Sequence, residues 1–338
     1  LKSPDTLISL ARAALGLKST EEAELVPLSG RGSDRAYFRF TWAGSRSAIL
    51  ADYDPRRVEN SYFADIAAFL MEIGIPVPQI IHHDADTCFI LMEDLGSTDL
   101  WALRDSPWEM RKSLYHKTLI AVHRLHSFPL SNFPSDRVGL MDPFSPTYYR
   151  WEREYFRMHF INGLCQMNLS SHFCEQLENE LGNLAARLES GKQSLIHRDL
   201  QSQNVMICQE APLLIDFQGM RFGSSFYDLG SLLCDPYVTF SENERMELLS
   251  YYYELSDAGL DWQVFQNAFW EASAQRLMQA LGAYGFLGIT KGLTDYLHHV
   301  APGLRNLRMA AQRAVNLPLL SELCKQCDII IRDSKFEI

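Results

Sequence analysis

The 338-residue chain contains no run of eighteen or more apolar residues, so no stretch of it reads as a membrane-spanning helix. Its first fifteen residues, LKSPDTLISLARAAL, lack the charged-then-apolar pattern and small-residue cleavage site of a secretion signal. It has no surplus of positive charge: 42 acidic residues stand against 31 basic ones, for a net charge of −11. Nucleic-acid recognition needs clustered Lys and Arg to neutralise phosphates, and that footprint is missing. Cysteine is sparse and odd in number, seven residues mostly in apolar surroundings, which suits reduced thiols in a cytoplasmic protein. Cys324-Lys-Gln-Cys327 has neither a second CxxC nor a His pair to complete a zinc site, so both thiols read as part of a terminal helix. Internal repeats and low-complexity segments are also absent.

What is present is an ordinary globular composition, 47% hydrophobic and 22% charged, on a chain long enough for two lobes. A short amphipathic helix is predicted over 5–17. β-Forming segments follow at 25–29, 36–42 and 46–52, separated by the glycine-rich SGRGSDR and the turn AGS. A helix over 59–73 stops at Gly74 and the Pro76/Pro78 pair, and QIIHH and CFILME form two further strands. After residue 93 the pattern is helical, over 107–127, 147–165, 171–190, 225–235, 241–257, 261–285 and 302–323, with one β interruption near 195–215. The expected architecture is α+β: a small β-rich lobe at 1–93 and a large helical lobe at 94–338.

That interruption holds the most specific chemistry. In LIHRDLQSQNVMICQEAPLLIDFQG, residues 195–219, Asp199 and Asn204 flank a tight loop, and Asp216 ends an apolar strand seventeen residues after Asp199. Phosphoryl transfer uses such a set: a carboxylate to orient an attacking hydroxyl and accept its proton, and hard oxygen ligands to hold Mg²⁺ on nucleotide phosphates. HRDLQSQN resembles the kinase catalytic loop H-R-D-L-x-x-x-N, and DFQ stands where DFG would. No A-P-E and no long activation segment follow, since QGMRFGSSFYDLGSLL reaches a helix bearing Asp228 directly.

The spacing D-x6-G-x4-D-L is similar to that of the aminoglycoside phosphotransferase and choline kinase superfamily of small-molecule kinases, with a bilobal protein-kinase-like fold. Softer segments resemble its anomeric sugar-kinase branch, which phosphorylates N-acetylmuramate and N-acetylglucosamine: YFRF at 37–40, ILADYDP at 49–55, GIPVPQI at 74–80, LMEDLG at 91–96, YYRWEREYF at 148–156 and ASAQRLMQALGAYG at 272–285. The resemblance implies ATP and Mg²⁺ as cofactors and a small-molecule acceptor, an amino sugar, with no membrane partner. It implies Asp199 as base, Asn204 and Asp216 as metal ligands, and His197 and Asp228 as structural support of the loop. For the nucleotide it implies Gly30, Arg31, Gly32, Ser33 and Arg35 in the loop over the phosphates, and Met92, Glu93 and Asp94 at the hinge.

Alternative acceptors of the same fold are an aminoglycoside, a choline-like amine or homoserine. A silent nucleotide-binding scaffold is the alternative of another class, because aligning SAIL at 47–50 with the kinase V-A-I-K puts Leu50 where the phosphate-binding lysine belongs, and no lysine lies between Lys18 and Lys112. Arg31 and Arg35 are the substitute cations, or else solvated surface arginines. On the aromatic helix at 148–160, Trp151, Glu152 and Tyr155 are candidates for sugar stacking and hydroxyl recognition, with core packing as the alternative. Of the histidines other than His197, those such as His126 read as surface or helix-packing residues.

Overall fold

The computed structural model describes residues 2–28, 35–256 and 259–333. Ser3 caps α1 (Pro4–Leu15) by accepting from the Thr6 N–H, and Gly16, at φ 65°, ends it. Strands β1 (Ala23–Leu28), β2 (Ala36–Trp42) and β3 (Arg46–Asp52) follow, then α2 (Val58–Ser61), α3 (Phe63–Glu72), β4 (Ile80–Asp84) and β5 (Phe89–Glu93). The strands make one antiparallel five-stranded sheet in the order β1-β2-β3-β5-β4. Alternation along each strand divides the side chains between two faces. Phe40, Ala48, Leu50, Phe89 and Leu91 pack with Leu7 and Ala11 of α1 as a small separate core on the outer face.

The chain leaves the sheet at Glu93 and runs beside residues 205–208, where Ile207 N donates to Thr98 O at 2.8 Å and Leu100 N to Val205 O at 3.0 Å. The helical lobe comprises α4 (Trp108–His126), α5 (Pro146–Phe156), α6 (Ser171–Ser190), strands β6 (Gln193–Ile196), β7 (Val205–Cys208), β8 (Ala211–Leu214) and β9 (Arg221–Ser224), then α7 (Ser225–Leu233), α8 (Glu242–Ser256), α9 (Trp262–Gly285), α10 (Val300–Arg313) and α11 (Pro318–Asp333). The architecture is therefore α+β, with a small antiparallel sheet lobe and a helical lobe.

Several expectations need adjustment. The helix expected at 302–323 is two helices, because Pro318 lacks the N–H that a continuing helix requires and instead opens α11. The helix expected over 147–165 changes at Arg157 into a π-helical segment, Arg157–Leu164. The β interruption is two separate pairs, β6 with β9 and β7 with β8, so it runs on to Ser224.

Helix α9 is the axis of this lobe and is buried on nearly every side. Small residues let its neighbours approach: a Cβ at Gly282 would meet the backbone of Phe156 on α5, and Gly230 of α7 lies against Ser273 of α9. That closeness delivers polar side chains of α9 to the loop after Ile196, where Arg276 reaches Asp199.

Candidate active site

β6 and β9 hold the two ends of the catalytic segment, and the β7–β8 hairpin closes it, so the loop after Ile196 and the turn after Leu214 emerge side by side. Ile215 N donates to Asn204 O at 3.0 Å, and the His197 Nε2–H donates to Ile215 O at 2.9 Å, tying loop to turn. Both places use left-handed backbone at non-glycine residues, Arg198 at φ 78° and Asp216 at φ 62°. Such conformations cost about 1–2 kcal/mol and persist only where surrounding contacts hold them.

For Arg198 the holding contact is Asp228 at the start of α7. Its buried carboxylate accepts from His197 N at 2.7 Å, from Arg198 N at 2.8 Å and from His126 Nε2 at 3.0 Å. Tyr252 lies behind, with its hydroxyl 2.7 Å from His126 Nδ1. His126 is thus part of the brace, a role its sequence neighbourhood did not suggest. A second buried carboxylate, Asp235, holds the far end of the loop, accepting from Ser202 N at 2.8 Å, Ser202 Oγ at 2.6 Å and Tyr237 N at 3.0 Å. Burial pushes its carboxyl up to about 6, against the pull of those hydrogen bonds.

Asp199, Asn204 and Asp216 line one cleft of about 500 Å³ between the lobes. Asn204 Nδ2 donates to Asp199 O at 2.9 Å, which leaves the carboxamide oxygen as its acceptor atom. Asp199 Oδ1 accepts from Arg276 Nη2 of α9 at 2.6 Å. Asp216 Oδ1 accepts from Gln218 Nε2 at 2.8 Å and from Arg35 Nη2 at 3.0 Å. Phe217 stacks on Phe63 of α3, ring centroids 4.6 Å apart, and so pins the turn after Asp216 to the sheet lobe.

The missing lysine takes a different form here. Phe38 pairs with Leu50 and Arg39 with Ile49 across β2 and β3, and Leu50 belongs to the outer core with α1. Ile49, not Leu50, faces the cleft. Arg35 supplies positive charge there: burial opposes its charge, but Tyr37, Asp216 and Glu59 of α2 together hold its pKa above the ordinary value. Arg35 thus sets a positive charge against Asp216, the metal-ligand candidate. Gly30, Arg31, Gly32 and Ser33 lie outside the described residues.

At the hinge, Met92 and Glu93 line the cleft, whereas the Asp94 side chain is turned to Arg39, which donates through Nε at 2.7 Å and Nη2 at 3.0 Å. Burial works against the Asp94 charge, but these bonds hold its carboxyl below the usual carboxylate range. Ile49, Met92, Met206 and Ile215 give this end of the cleft apolar walls. The other end is walled by α9 and its neighbours, with Arg276, Gln279, Tyr237, Tyr284 and Tyr296.

The aromatic helix candidates fall elsewhere. Glu152 is fully buried behind the loop, accepting from Tyr227 OH at 2.8 Å and Gln275 Nε2 at 2.9 Å. Trp151 is 47% exposed and stacks on Tyr155, with centroids 5.3 Å apart, and neither lines the cleft.

A kinase-like loop, a short segment to Asp228 and a cleft between a sheet lobe and a helical lobe are the parts of a phosphotransferase. The chain belongs to the phosphotransferase enzyme family (APH), whose family model matches residues 24–265. Among curated proteins it is similar to the N-acetylmuramate/N-acetylglucosamine kinase of Pseudomonas aeruginosa, 26% identical over 92% of this chain and 90% of that protein. The protein of the same name from Neisseria meningitidis serogroup B is 25% identical, over 86% of each chain. Among solved structures it resembles a choline/ethanolamine kinase family protein from Mesorhizobium loti, with TM-score 0.61 and 15% identity over 96% of this chain and 99% of that one. The ADP-bound aminoglycoside phosphotransferase APH(2'')-Ib has TM-score 0.60 and 13% identity, over 90% and 99% of the two chains. Among the described residues no helix is long and apolar enough to cross a membrane.

Proposed function

We propose that this phosphotransferase uses ATP and Mg²⁺ to phosphorylate a sugar hydroxyl, the anomeric hydroxyl of N-acetylmuramate or N-acetylglucosamine. The observation that carries the reading is one cleft with Asp199, Asn204 and Asp216 on its floor, apolar walls at the hinge end, and arginine, glutamine and tyrosines at the other. A cationic aminoglycoside or choline-like amine calls for free carboxylates around the acceptor, whereas at the α9 end Asp199 is paired with Arg276 and the neighbours are Gln279, Tyr237, Tyr284 and Tyr296. The names of the curated relatives support the same acceptor.

Asn204 and Asp216 fit a magnesium site. Nucleotide phosphates would supply most of its ligands, and the protein one carboxylate and one carboxamide. Bound Mg²⁺ would neutralise charge on the phosphates. With Oδ1 of Asp199 engaged by Arg276, its second oxygen is the atom that takes the acceptor proton. The acceptor oxygen bonds to the γ-phosphorus as the bond to the β–γ bridging oxygen breaks, and ADP leaves with that electron pair. Positioning and charge neutralisation carry the rate, since this transfer needs little covalent help. Arg35 takes the phosphate-binding part that a lysine plays in protein kinases.

The test is ADP release with Mg-ATP against N-acetylmuramate, N-acetylglucosamine, other hexoses, choline and aminoglycosides, with Asp199→Asn alongside. Turnover on the amino sugars, lost by a factor of about 10³ or more in the variant while ATP still binds, is the expected result. Undiminished activity of Asp199→Asn removes it as the base, and turnover only of cationic acceptors removes the sugar reading.

A further inference from the structure

Arg39, Arg198 and Arg276 all line the cleft, but only two of them are committed. Arg39 is held by Asp94 and by the Gly96 carbonyl. Arg276 is engaged through each of its nitrogens, Nε to Ser231, Nη1 to Gln279 and Nη2 to Asp199. Arg198 differs: its backbone N–H is fixed by Asp228, yet among the described residues its guanidinium has no hydrogen bond or ion pair, and its Nε is buried without a partner.

The nearby carboxylates do not satisfy it. Glu152 and Asp199 are near enough for their charge to act on Arg198, but both Glu152 oxygens are taken by Tyr227 and Gln275, and Asp199 Oδ1 is taken by Arg276. Burial also raises the Glu152 carboxyl, which favours its neutral form. Arg198 is only partly buried, so its buried Nε is shut off from water without a partner, a cost that a ligand reaching it would remove. The backbone adds a second indication. At φ 78° a glycine would turn the loop without strain, so the arginine is present for its side chain. Tyr148 and Tyr155 of α5 are also within electrostatic reach of Arg198.

We propose that Arg198 is the subsite for an anionic substituent of the acceptor, a carboxylate carried on the sugar ring whose hydroxyl Asp199 deprotonates. This rests on the sugar-kinase reading and narrows it: the site discriminates an acidic amino sugar from its neutral parent. N-acetylmuramate differs from N-acetylglucosamine by a lactyl ether ending in such a carboxylate, and a planar guanidinium matches it with paired hydrogen bonds.

The experiment measures kcat/KM of the wild-type enzyme for N-acetylmuramate, its methyl ester and N-acetylglucosamine, then repeats all three with Arg198→Gln. The acid is expected to exceed the ester by about tenfold to a hundredfold in the wild type, the range of a charge-assisted contact. In Arg198→Gln that ratio is expected to fall to about threefold or less. Equal use of acid and ester by the wild type overturns the subsite, and this arm decides the matter even if the variant fails to fold. An unchanged ratio in a folded variant also overturns it. Turnover of N-acetylglucosamine without discrimination leaves the sugar-kinase reading standing and removes only Arg198, whereas turnover of neither sugar removes both.

Discussion

Replacing Asp228 by Asn keeps the shape of the brace and removes its charge, which makes it a direct test of how the catalytic loop is held. The carboxylate accepts His197 N and His126 Nε2 on one oxygen and Arg198 N on the other. An asparagine can keep the first oxygen, but its amide then points two hydrogens at the Arg198 N–H. One charge-assisted bond is lost, worth about 1.5–3 kcal/mol, and a buried donor is left unmet at about 1–3 kcal/mol. Partial relaxation brings the expected loss of folding stability to about 2–4 kcal/mol. The catalytic consequence is separate. Released from Asp228, Arg198 has no reason to keep its left-handed conformation, and Asp199 is the next residue. If Asp199 is the base proposed above, its displacement by about 1 Å costs about a hundredfold in rate, and the apolar hinge end of the cleft is untouched. Urea denaturation and steady-state kinetics should therefore show lower stability, kcat reduced by about 10²-fold, and little change in KM for ATP. A variant destabilised as expected but with kcat within about threefold of the wild type would refute the bracing argument, because the loop would then hold its geometry without Asp228.

Arg35→Gln should raise KM for ATP by about tenfold or more and leave the acceptor KM nearly unchanged; an unaltered ATP KM removes Arg35 from the phosphates. Leu50→Lys should cost more than about 3 kcal/mol because it buries a charge under α1, whereas Ile49→Lys, in the cleft wall, should cost about 1 kcal/mol; equal costs in chemical denaturation would contradict the strand facing. For Asp235 the folded pKa of about 6 lies above the unfolded value, so its protonated form stabilises the fold below about pH 4 and that contribution is lost as pH rises through about 6. Relative to wild type, Asp235→Asn should gain about 2 kcal/mol between pH 4 and pH 7, and parallel stability curves would show that Asp235 does not titrate there.

What could be read from the sequence depended on how locally each feature is built. Asp199, Asn204 and Asp216 lie within one short stretch, and strands too brief to wander bring them together, so their spacing nearly determines their meeting. The lysine question turned on strand parity. A motif laid over SAIL selects Leu50 by position, but the two faces of a strand alternate, and the pairing of Leu50 with Phe38 turns both toward α1. No single-strand pattern fixes that, since β3 is apolar on both faces, with Ile49, Leu50 and Ala51 in succession.

Arg276 and His126 were hidden for another reason. Arg276 stands 77 residues from Asp199, and His126 stands 102 from Asp228. Their roles come from packing between helices, which the order of residues does not encode locally. One signal was nevertheless available on α9. In ASAQRLMQALGAYG, Gln275, Arg276 and Gln279 interrupt a run of small and apolar residues that is buried all round, and polar groups at such positions must find partners inside the fold. The available partners in the helical lobe are the groups that the catalytic loop and its neighbours leave unfilled. Arg276 accordingly meets Asp199, Gln275 meets Glu152, and Gln279 turns to the cleft. A polar cluster on a helix with no solvent face thus points to the active centre through the cost of leaving it unpaired.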